Sequence, residues 1–106
     1  MNVLFICSRN QWRSPTAEMI FRDHPVVNAR SAGTSSSARI KVTEKLILWS
    51  DVIFAMERKH RDLLLERFPS AAGEKQIVLL DIPDEYQYMD EELIEEIRSK
   101  TAPYFS

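Results

Sequence analysis

Cysteine, histidine and glycine are scarce in this chain of 106 residues, which contains one cysteine, two histidines and two glycines. The single cysteine, Cys7, cannot form an internal disulfide, and the histidines do not stand at any familiar zinc-ligand spacing. The sequence therefore predicts neither an internal disulfide nor a zinc cluster. Cys7 is either a small buried residue or a reactive thiolate.

Long apolar runs are also missing, since no stretch approaches the roughly 20 residues that cross a bilayer. The N-terminus has neither a basic leader nor an apolar core followed by a small-residue cleavage site, so it does not predict a secretory signal. We therefore expect a soluble, cytoplasmic protein with no membrane partner. A length of 106 residues is typical of one compact unit, which predicts a single domain over residues 1–106.

Charge is unevenly distributed between the two halves of the chain. Residues 1–50 contain seven Lys and Arg against three Asp and Glu, whereas residues 51–106 contain seven against thirteen. A basic N-terminal half favours an anionic ligand, although two solvated faces give the same pattern. No aromatic-and-basic repeat indicates a nucleic-acid surface, so we expect no nucleic-acid partner.

Apolar, β-prone segments alternate with segments of helical periodicity. Strands are predicted at residues 2–6, 26–30, 51–56 and 76–80. The first helix is expected to begin with Ser14 as its N-cap and Pro15 as its first residue. Further helices are predicted at residues 42–49, 57–68 and 89–102, with a loop at 31–37 and Pro69 ending the third helix. This alternation predicts an α/β fold with an open parallel sheet flanked by helices.

The first predicted strand leads into Cys7, and the spacing from Cys7 to Arg13 is C-x5-R. A loop of that length between a strand and a helix can turn its backbone N–H groups, together with the positive end of the helix, toward one anion. Such a cradle favours a thiolate at Cys7, while the planar guanidinium of Arg13 can hold two phosphoryl oxygens. The predicted phosphate-binding residues are Ser8, Arg9, Asn10, Gln11, Trp12 and Ser14.

A C-x5-R spacing also arises by chance, in which case Cys7 is a buried strand-end residue and Arg13 a surface residue. Here a predicted strand precedes the motif, a predicted helix follows it, and Ser14 and Pro15 stand at the junction. Ser14 can donate a hydrogen bond to the Cys7 sulfur while it caps the helix. This context favours nucleophilic chemistry at Cys7.

Residues 3–18, VLFICSRNQWRSPTAE, closely resemble the phosphate-loop signature of low-molecular-weight protein tyrosine phosphatases. Three later segments, at residues 31–34, 51–57 and 81–86, resemble further segments of that family in the same order. The resemblance implies a four-stranded parallel sheet in the order 2-1-3-4. It also implies hydrolysis of phosphate monoesters through a phosphocysteine, without a metal or cofactor.

The same resemblance assigns roles to individual residues. It implies that Cys7 is the nucleophile and Arg13 the phosphate clamp. It further implies that Asn10 orders the loop, that Ser14 is the partner of the thiolate and that Asp84 is the general acid.

The assignment of the general acid has a rival within the sequence. Asp84 follows the fourth predicted strand, on the sheet edge where Cys7 lies, and a carboxyl group there can protonate a leaving oxygen. Asp81 is close by, and both residues can equally be turn residues beside Pro83. The resemblance favours Asp84, with Asp81 in a structural role.

Three features depart from the family pattern. Arg9 stands where the family carries glycine, so a positive φ at that position would strain the loop. Glu85 replaces a proline after the general acid, which places a negative charge near an anionic substrate. The segment between residues 36 and 49 is short, so we expect one wall of the substrate cleft to be reduced.

Aromatic residues near the loop are candidates for a substrate pocket, because an aryl phosphate would stack on them. The predicted pocket residues are Trp12, Tyr86 and Tyr88, with ordinary packing as the alternative role for each. His60 is expected to be structural.

These observations predict a cysteine-dependent protein tyrosine phosphatase that acts on a phosphorylated protein or a small aryl phosphate. An arsenate reductase that uses an external thiol is one alternative, since the chain lacks further cysteines for an internal relay. A non-catalytic phosphate-binding module is another. A phosphocysteine-carrying transporter subunit fits less well, because Arg13 favours hydrolysis. The sequence does not predict the oligomeric state.

Overall fold

The computed structural model describes residues 1–105 and contains one sheet of four parallel strands. The strand order is β2-β1-β3-β4, which confirms the predicted fold class and topology. The prediction of a single domain extends to Ser106, which lies outside the described residues. The strands are β1 (Asn2–Cys7), β2 (Asn28–Gly33), β3 (Val52–Ala55) and β4 (Gln76–Leu79).

Five α-helices and a short 3₁₀ turn connect or follow the strands within residues 1–105. They are α1 (Arg13–Ile20), α2 (Glu44–Trp49), α3 (Arg58–Arg67), α4 (Pro69–Gly73), α5 (Glu91–Thr101) and the 3₁₀ turn Ala102–Tyr104. Helix α4 was not predicted. Pro69 was expected only to end the preceding helix, but it also begins α4, because proline is well suited to the first turn of a helix. None of these helices is long and apolar enough to cross a membrane.

The central strand β1 separates two hydrophobic layers, because successive side chains of a strand point to opposite faces. Val3, Phe5 and Cys7 pack in a cluster that includes residues of α1 and α5. Leu4 and Ile6 pack on the other face, against buried residues of α2, α3 and α4. All five side chains are buried, as expected for a strand covered on both sides.

Strand β2 lies later in the chain than predicted. The apolar Val26 and Val27 suggested a strand at residues 26–30, but the ladder with β1 runs from Asn28 to Gly33. Residues 31–33, predicted to begin a loop from their small polar composition, are the buried end of this strand. The prediction was wrong because pairing with β1 satisfies their backbone, which composition alone does not reveal.

Helix α1 begins two residues earlier than predicted. Its cap position is Trp12, which makes no side-chain capping bond, and its first residue is Arg13. Ser14 is therefore inside the helix and not its N-cap, and its hydroxyl contacts the Cys7 sulfur at 2.9 Å. The Ser14 hydroxyl therefore contacts the Cys7 sulfur and does not cap the helix end.

Candidate active site

Cys7 lies at the carboxyl end of β1 and is 3% exposed. Cys7 lines a pocket of about 130 Å³ at the edge of the sheet where the parallel strands end. The pocket brings together all three predicted catalytic residues. Its lining consists of Cys7, Ser8, Arg9, Gln11, Trp12, Arg13 and Asp84.

Two donors are directed at the Cys7 sulfur. The backbone N–H of Asn10 donates to Sγ at 3.3 Å, and the Ser14 hydroxyl is 2.9 Å from it. The side-chain nitrogen Nδ2 of Asn10 donates to Ser14 Oγ at 2.8 Å and to Ser31 Oγ at 2.9 Å. Because Ser14 Oγ accepts from Asn10, its own hydrogen is available to the sulfur. This arrangement suits a thiolate, which accepts hydrogen bonds and donates none.

The loop residue with a left-handed backbone conformation is Asn10 and not Arg9. Asn10 has a φ of 55°, whereas Arg9 is absent from the positive-φ residues of the described chain. Asparagine tolerates this region better than most side chains, so Arg9 adds no backbone strain. The backbone N–H groups of Gln11, Trp12 and Arg13 have no protein acceptor within residues 1–105, which leaves them for a bound anion.

Arg13 is anchored through one of its terminal nitrogens. Its Nη1 donates to Glu57 Oε1 at 2.6 Å and to the carbonyl of Ile82 at 2.8 Å, and the side chain is 2% exposed. Its Nε lies 3.7 Å from Asp84 Oδ1. The Nε and Nη2 edge is therefore the part of the guanidinium left to face the pocket, and that edge can hold two phosphoryl oxygens.

Glu57 was missed as a site residue because the sequence places it simply at a helix start. It follows β3, on the same sheet edge as Cys7, and its carboxylate holds Arg13. Burial raises the pKa of Glu57, but the hydrogen bond and charge of Arg13, together with the charge of Lys59, more than offset this and lower the pKa below its usual value. Glu57 is thus an ionised partner for Arg13, and its position after a central strand was the signal that could have identified it.

His60 is completely buried and contacts the phosphate loop. Its Nδ1 accepts from the backbone N–H of Glu57 at 3.0 Å, and its Nε2 lies 2.8 Å from Ser8 Oγ. Burial and the nearby charge of Arg13 lower the pKa of His60 to about 4, so the ring is neutral near pH 7. Since Nδ1 accepts, Nε2 carries the proton and donates to Ser8, which leaves the Ser8 hydroxyl hydrogen for the pocket.

The structure separates the two rival carboxylates. Asp84 lines the pocket and is more than half exposed, while its carboxylate faces Arg13. Asp81 does not line the pocket, and it has a φ of 53° with its carbonyl accepting from Lys100 at 3.1 Å. Glu85 is exposed on the same loop. The geometry therefore places Asp84 in the pocket of Cys7 and leaves Asp81 outside that pocket.

Of the predicted aromatic residues, the structure brings only Trp12 to the catalytic pocket, where it is 42% exposed. Tyr88 lines a neighbouring groove that also includes Gln11. Tyr86 packs against the hydrophobic core and lines a different depression, among acidic residues of α5. Trp12 is thus the aromatic residue available to a group bound at Cys7.

The short segment after β2 still supports the phosphate loop. The backbone N–H of Arg39 donates to the carbonyl of Arg9 at 3.0 Å, and its Nε donates to the carbonyl of Asn10 at 3.1 Å. These two bonds hold the loop from outside and direct its carbonyls away from the cradle. The segment after β2 therefore braces the phosphate loop.

Comparison with known proteins relates this site to phosphatases. A profile of the family described as low molecular weight phosphotyrosine protein phosphatase matches residues 2–48, which include β1, the loop, α1 and β2. The protein-arginine-phosphatase of Bacillus subtilis (strain 168) is 28% identical over 95 residues. The match covers 64% of this chain and 63% of that protein, so the chain spans less than two thirds of the length of this curated relative.

Solved structures share the fold over nearly the whole chain. The tyrosine phosphatase Wzb from Escherichia coli K30 in complex with phosphate gives a TM-score of 0.77 at 22% identity, covering 97% of this chain and 94% of that chain. The YwlE arginine phosphatase from Geobacillus stearothermophilus gives a TM-score of 0.75 at 22% identity, covering 97% and 91%. At this identity the comparison establishes the fold alone.

Proposed function

We propose that the chain is a member of the low-molecular-weight phosphotyrosine protein phosphatase family, whose model matches residues 2–48, and that it hydrolyses phosphate monoesters through a phosphocysteine. The observation that carries the proposal is the pocket in which the Cys7 sulfur, the Arg13 guanidinium and the Asp84 carboxylate meet. The proposed substrate is a phosphorylated protein or a small aryl phosphate.

In the first step the Cys7 thiolate attacks phosphorus in line, so that an S–P bond forms while the P–O bond to the leaving group breaks. Arg13 and the unpaired loop N–H groups hold the equatorial oxygens, whose charge they stabilise in the transition state. Asp84, protonated at this stage, gives its proton to the departing oxygen. The alcohol or phenol then leaves.

In the second step a water molecule attacks the phosphocysteine. Asp84, now ionised, takes a proton from the water, and the S–P bond breaks to release inorganic phosphate and the Cys7 thiolate. Each turnover therefore consumes one ester and one water and returns every catalytic group to its starting state. The two donors on Sγ stabilise the thiolate as a leaving group in this step.

Two features favour an aryl phosphate over phosphoarginine, the substrate type named for the curated relative. Trp12 is exposed at the pocket and can stack on a phenyl ring. Arg9 also lines the pocket, and its positive charge disfavours a cationic guanidinium at the same place. We further propose a cytoplasmic location, because a reducing compartment preserves a catalytic thiol.

The proposal is tested by hydrolysis of an aryl phosphate in the presence of a chelator. Cys7→Ser should abolish turnover, and Asp84→Asn should lower kcat on the order of 10²–10⁴-fold. Asp81→Asn is the matched control, since it makes the same change on the same loop at a residue that does not line the pocket, and asparagine tolerates its positive φ. Full activity in Cys7→Ser would refute the mechanism.

Two further measurements distinguish the remaining candidate functions. Thiol consumption that depends on arsenate, without ester hydrolysis, would identify the reductase. Binding of phosphate without turnover or a covalent intermediate would identify the binding module.

A further inference from the structure

We propose that the groove beside the catalytic pocket is a subsite for acidic side chains, so that the protein selects phosphorylated segments with Asp or Glu near the phosphorylated residue. The groove has a volume of about 350 Å³ and shares Gln11 with the catalytic pocket. This inference rests on the proposed function, because the catalytic pocket must hold the phosphate while the groove holds its neighbours.

The groove follows one face of α1 away from the phosphate loop. Pro15 and Met19 are four residues apart and lie on one side of α1, while Gln11 precedes the helix and Arg22 follows it. From Pro15 to Met19 the helical rise is about 6 Å, or about two residues of extended polypeptide, and Arg22 lies just beyond the end of α1. A segment anchored by its phosphate at Cys7 can therefore place flanking side chains along the groove.

Two arginines supply the charge of the groove. Arg22 is exposed, and its side chain makes no ion pair or hydrogen bond with residues 1–105. Arg39 donates from Nε to the carbonyl of Asn10, while its terminal nitrogens have no partner in the described part of the chain. Each guanidinium thus retains the two-nitrogen edge that binds a carboxylate.

The one carboxylate in the groove does not neutralise both arginines. Glu18 accepts a hydrogen bond from the Ser31 hydroxyl at 2.7 Å and forms no salt bridge with Arg22 in the described residues. With two guanidinium groups and one carboxylate the groove carries a net positive charge. Arg9 adds a further cation at the neighbouring pocket, which also contains the Asp84 carboxylate.

The groove also offers an apolar surface for the backbone and stems of a bound segment. Met19 is partly exposed along the groove and Tyr88 contributes an exposed ring, while Pro15 is buried beneath them. A flexible chain laid on such a surface is held by contact while its carboxylates reach the arginines. This combination fits a polypeptide better than a free anion.

The test measures binding of phosphotyrosine peptides to Cys7→Ser protein, which removes turnover from the readout. Three peptides are compared. The first has glutamates on the N-terminal side of the phosphotyrosine, the second has glutamates on its C-terminal side, and the third has alanines on both sides. One acidic peptide should bind more tightly than the alanine peptide, by about two- to fivefold per arginine contacted. This preference should shrink as salt concentration rises.

Substitutions at Arg22 make the result specific to the groove. Arg22→Gln should reduce the preference, Arg22→Lys should retain most of it, and Arg22→Glu should abolish it. Lys45→Gln is the control, because it removes the same charge from α2, which packs on the other face of the sheet. Equal affinity for all three peptides, or equal effects of Arg22→Gln and Lys45→Gln, would overturn the proposal.

The proposed function fails by a different outcome. If wild-type protein shows no hydrolysis of an aryl phosphate while the peptide preference is present, the subsite stands and the catalytic assignment falls. If hydrolysis is normal and the preference is absent, the catalytic assignment stands and the subsite falls.

Discussion

His60 connects the phosphate loop to the N-terminal end of α3 without contacting the sulfur itself. One ring nitrogen receives the Glu57 backbone N–H, and the other donates to Ser8. Because Glu57 in turn holds Arg13, the same helix end positions a loop hydroxyl and the phosphate clamp. This requires a neutral ring, since a protonated imidazole cannot accept at Nδ1.

The neutral state of His60 predicts a loss of stability in mild acid. Its pKa is about 4 in the folded chain and near 6.5 when unfolded, so the unfolded chain binds the extra proton first as pH falls. The free energy of unfolding should therefore drop by about 2 kcal/mol between pH 7 and pH 5 from this residue alone. Urea unfolding at the two pH values measures the drop. His60→Gln should show a correspondingly smaller pH dependence, and an unchanged dependence would contradict the neutral buried ring.

The sequence was most informative about residues that share a short loop. Cys7, Arg13 and the loop between them could be identified because their spacing and their position after a strand are local properties. Glu57 and His60 could not, because their roles depend on where β3 and α3 lie relative to β1. Their partners Arg13 and Ser8 are 44 and 52 residues away in the chain.

At the scale of elements, the end of β2 lies against the phosphate loop, and Gly33 permits the contact. A Cβ atom at Gly33 would lie 2.5 Å from the Ser8 carbonyl oxygen and 2.7 Å from Ala38 Cβ. Both distances are too short for real atoms, and the first involves backbone that cannot rotate away. The close approach of strand and loop therefore requires glycine here.

Gly33→Ala should displace the loop and weaken phosphate binding while lowering the free energy of unfolding by about 1–3 kcal/mol. Phosphate inhibition of aryl phosphate hydrolysis and urea unfolding measure the two effects. Gly73→Ala is the matched control. Gly73 lies in α4, and a Cβ atom added there would have no neighbour within 4 Å. That variant should bind phosphate normally and gain up to about 1 kcal/mol. Normal phosphate binding in Gly33→Ala would show that the loop does not depend on this contact.

Element identity was easier to predict than element boundaries. The apolar cores of β1 and β3 and the helical periodicity after them were visible in the sequence, and each corresponds to an observed strand or helix. The limits of β2 and the start of α1 were misplaced, because they are decided by pairing with β1 and by the geometry of the phosphate loop. These are tertiary effects that local propensity does not contain.

At the scale of the whole molecule, a cluster of aromatic rings packs strands β1 and β3 against the segments that follow α1 and α5. Phe5 stacks on Phe21 of the α1 end and on Phe54 of β3, with ring centroids 5.8 and 5.4 Å apart. Phe105 meets Phe21 edge to face at 5.0 Å and Phe54 at 5.5 Å. The chain after α5 thus covers the layer formed by α1 and α5, which sequence periodicity could not predict because the segment is too short to show a pattern.

This position predicts that Phe105 stabilises the fold without serving the site. Phe105→Ala should lower the free energy of unfolding by about 2–3 kcal/mol, because it removes apolar burial and two edge-to-face contacts from one layer of the core. Since Phe105 is absent from the lining of the catalytic pocket, kcat/KM per folded molecule should stay within about twofold of wild type at a temperature well below the midpoint. Thermal unfolding and aryl phosphate hydrolysis measure the two quantities on the same preparation. Val26→Ala truncates an apolar side chain that is 59% exposed and should change stability by less than about 0.5 kcal/mol. If Phe105→Ala proved no more destabilising than Val26→Ala, the segment after α5 would not be part of the core.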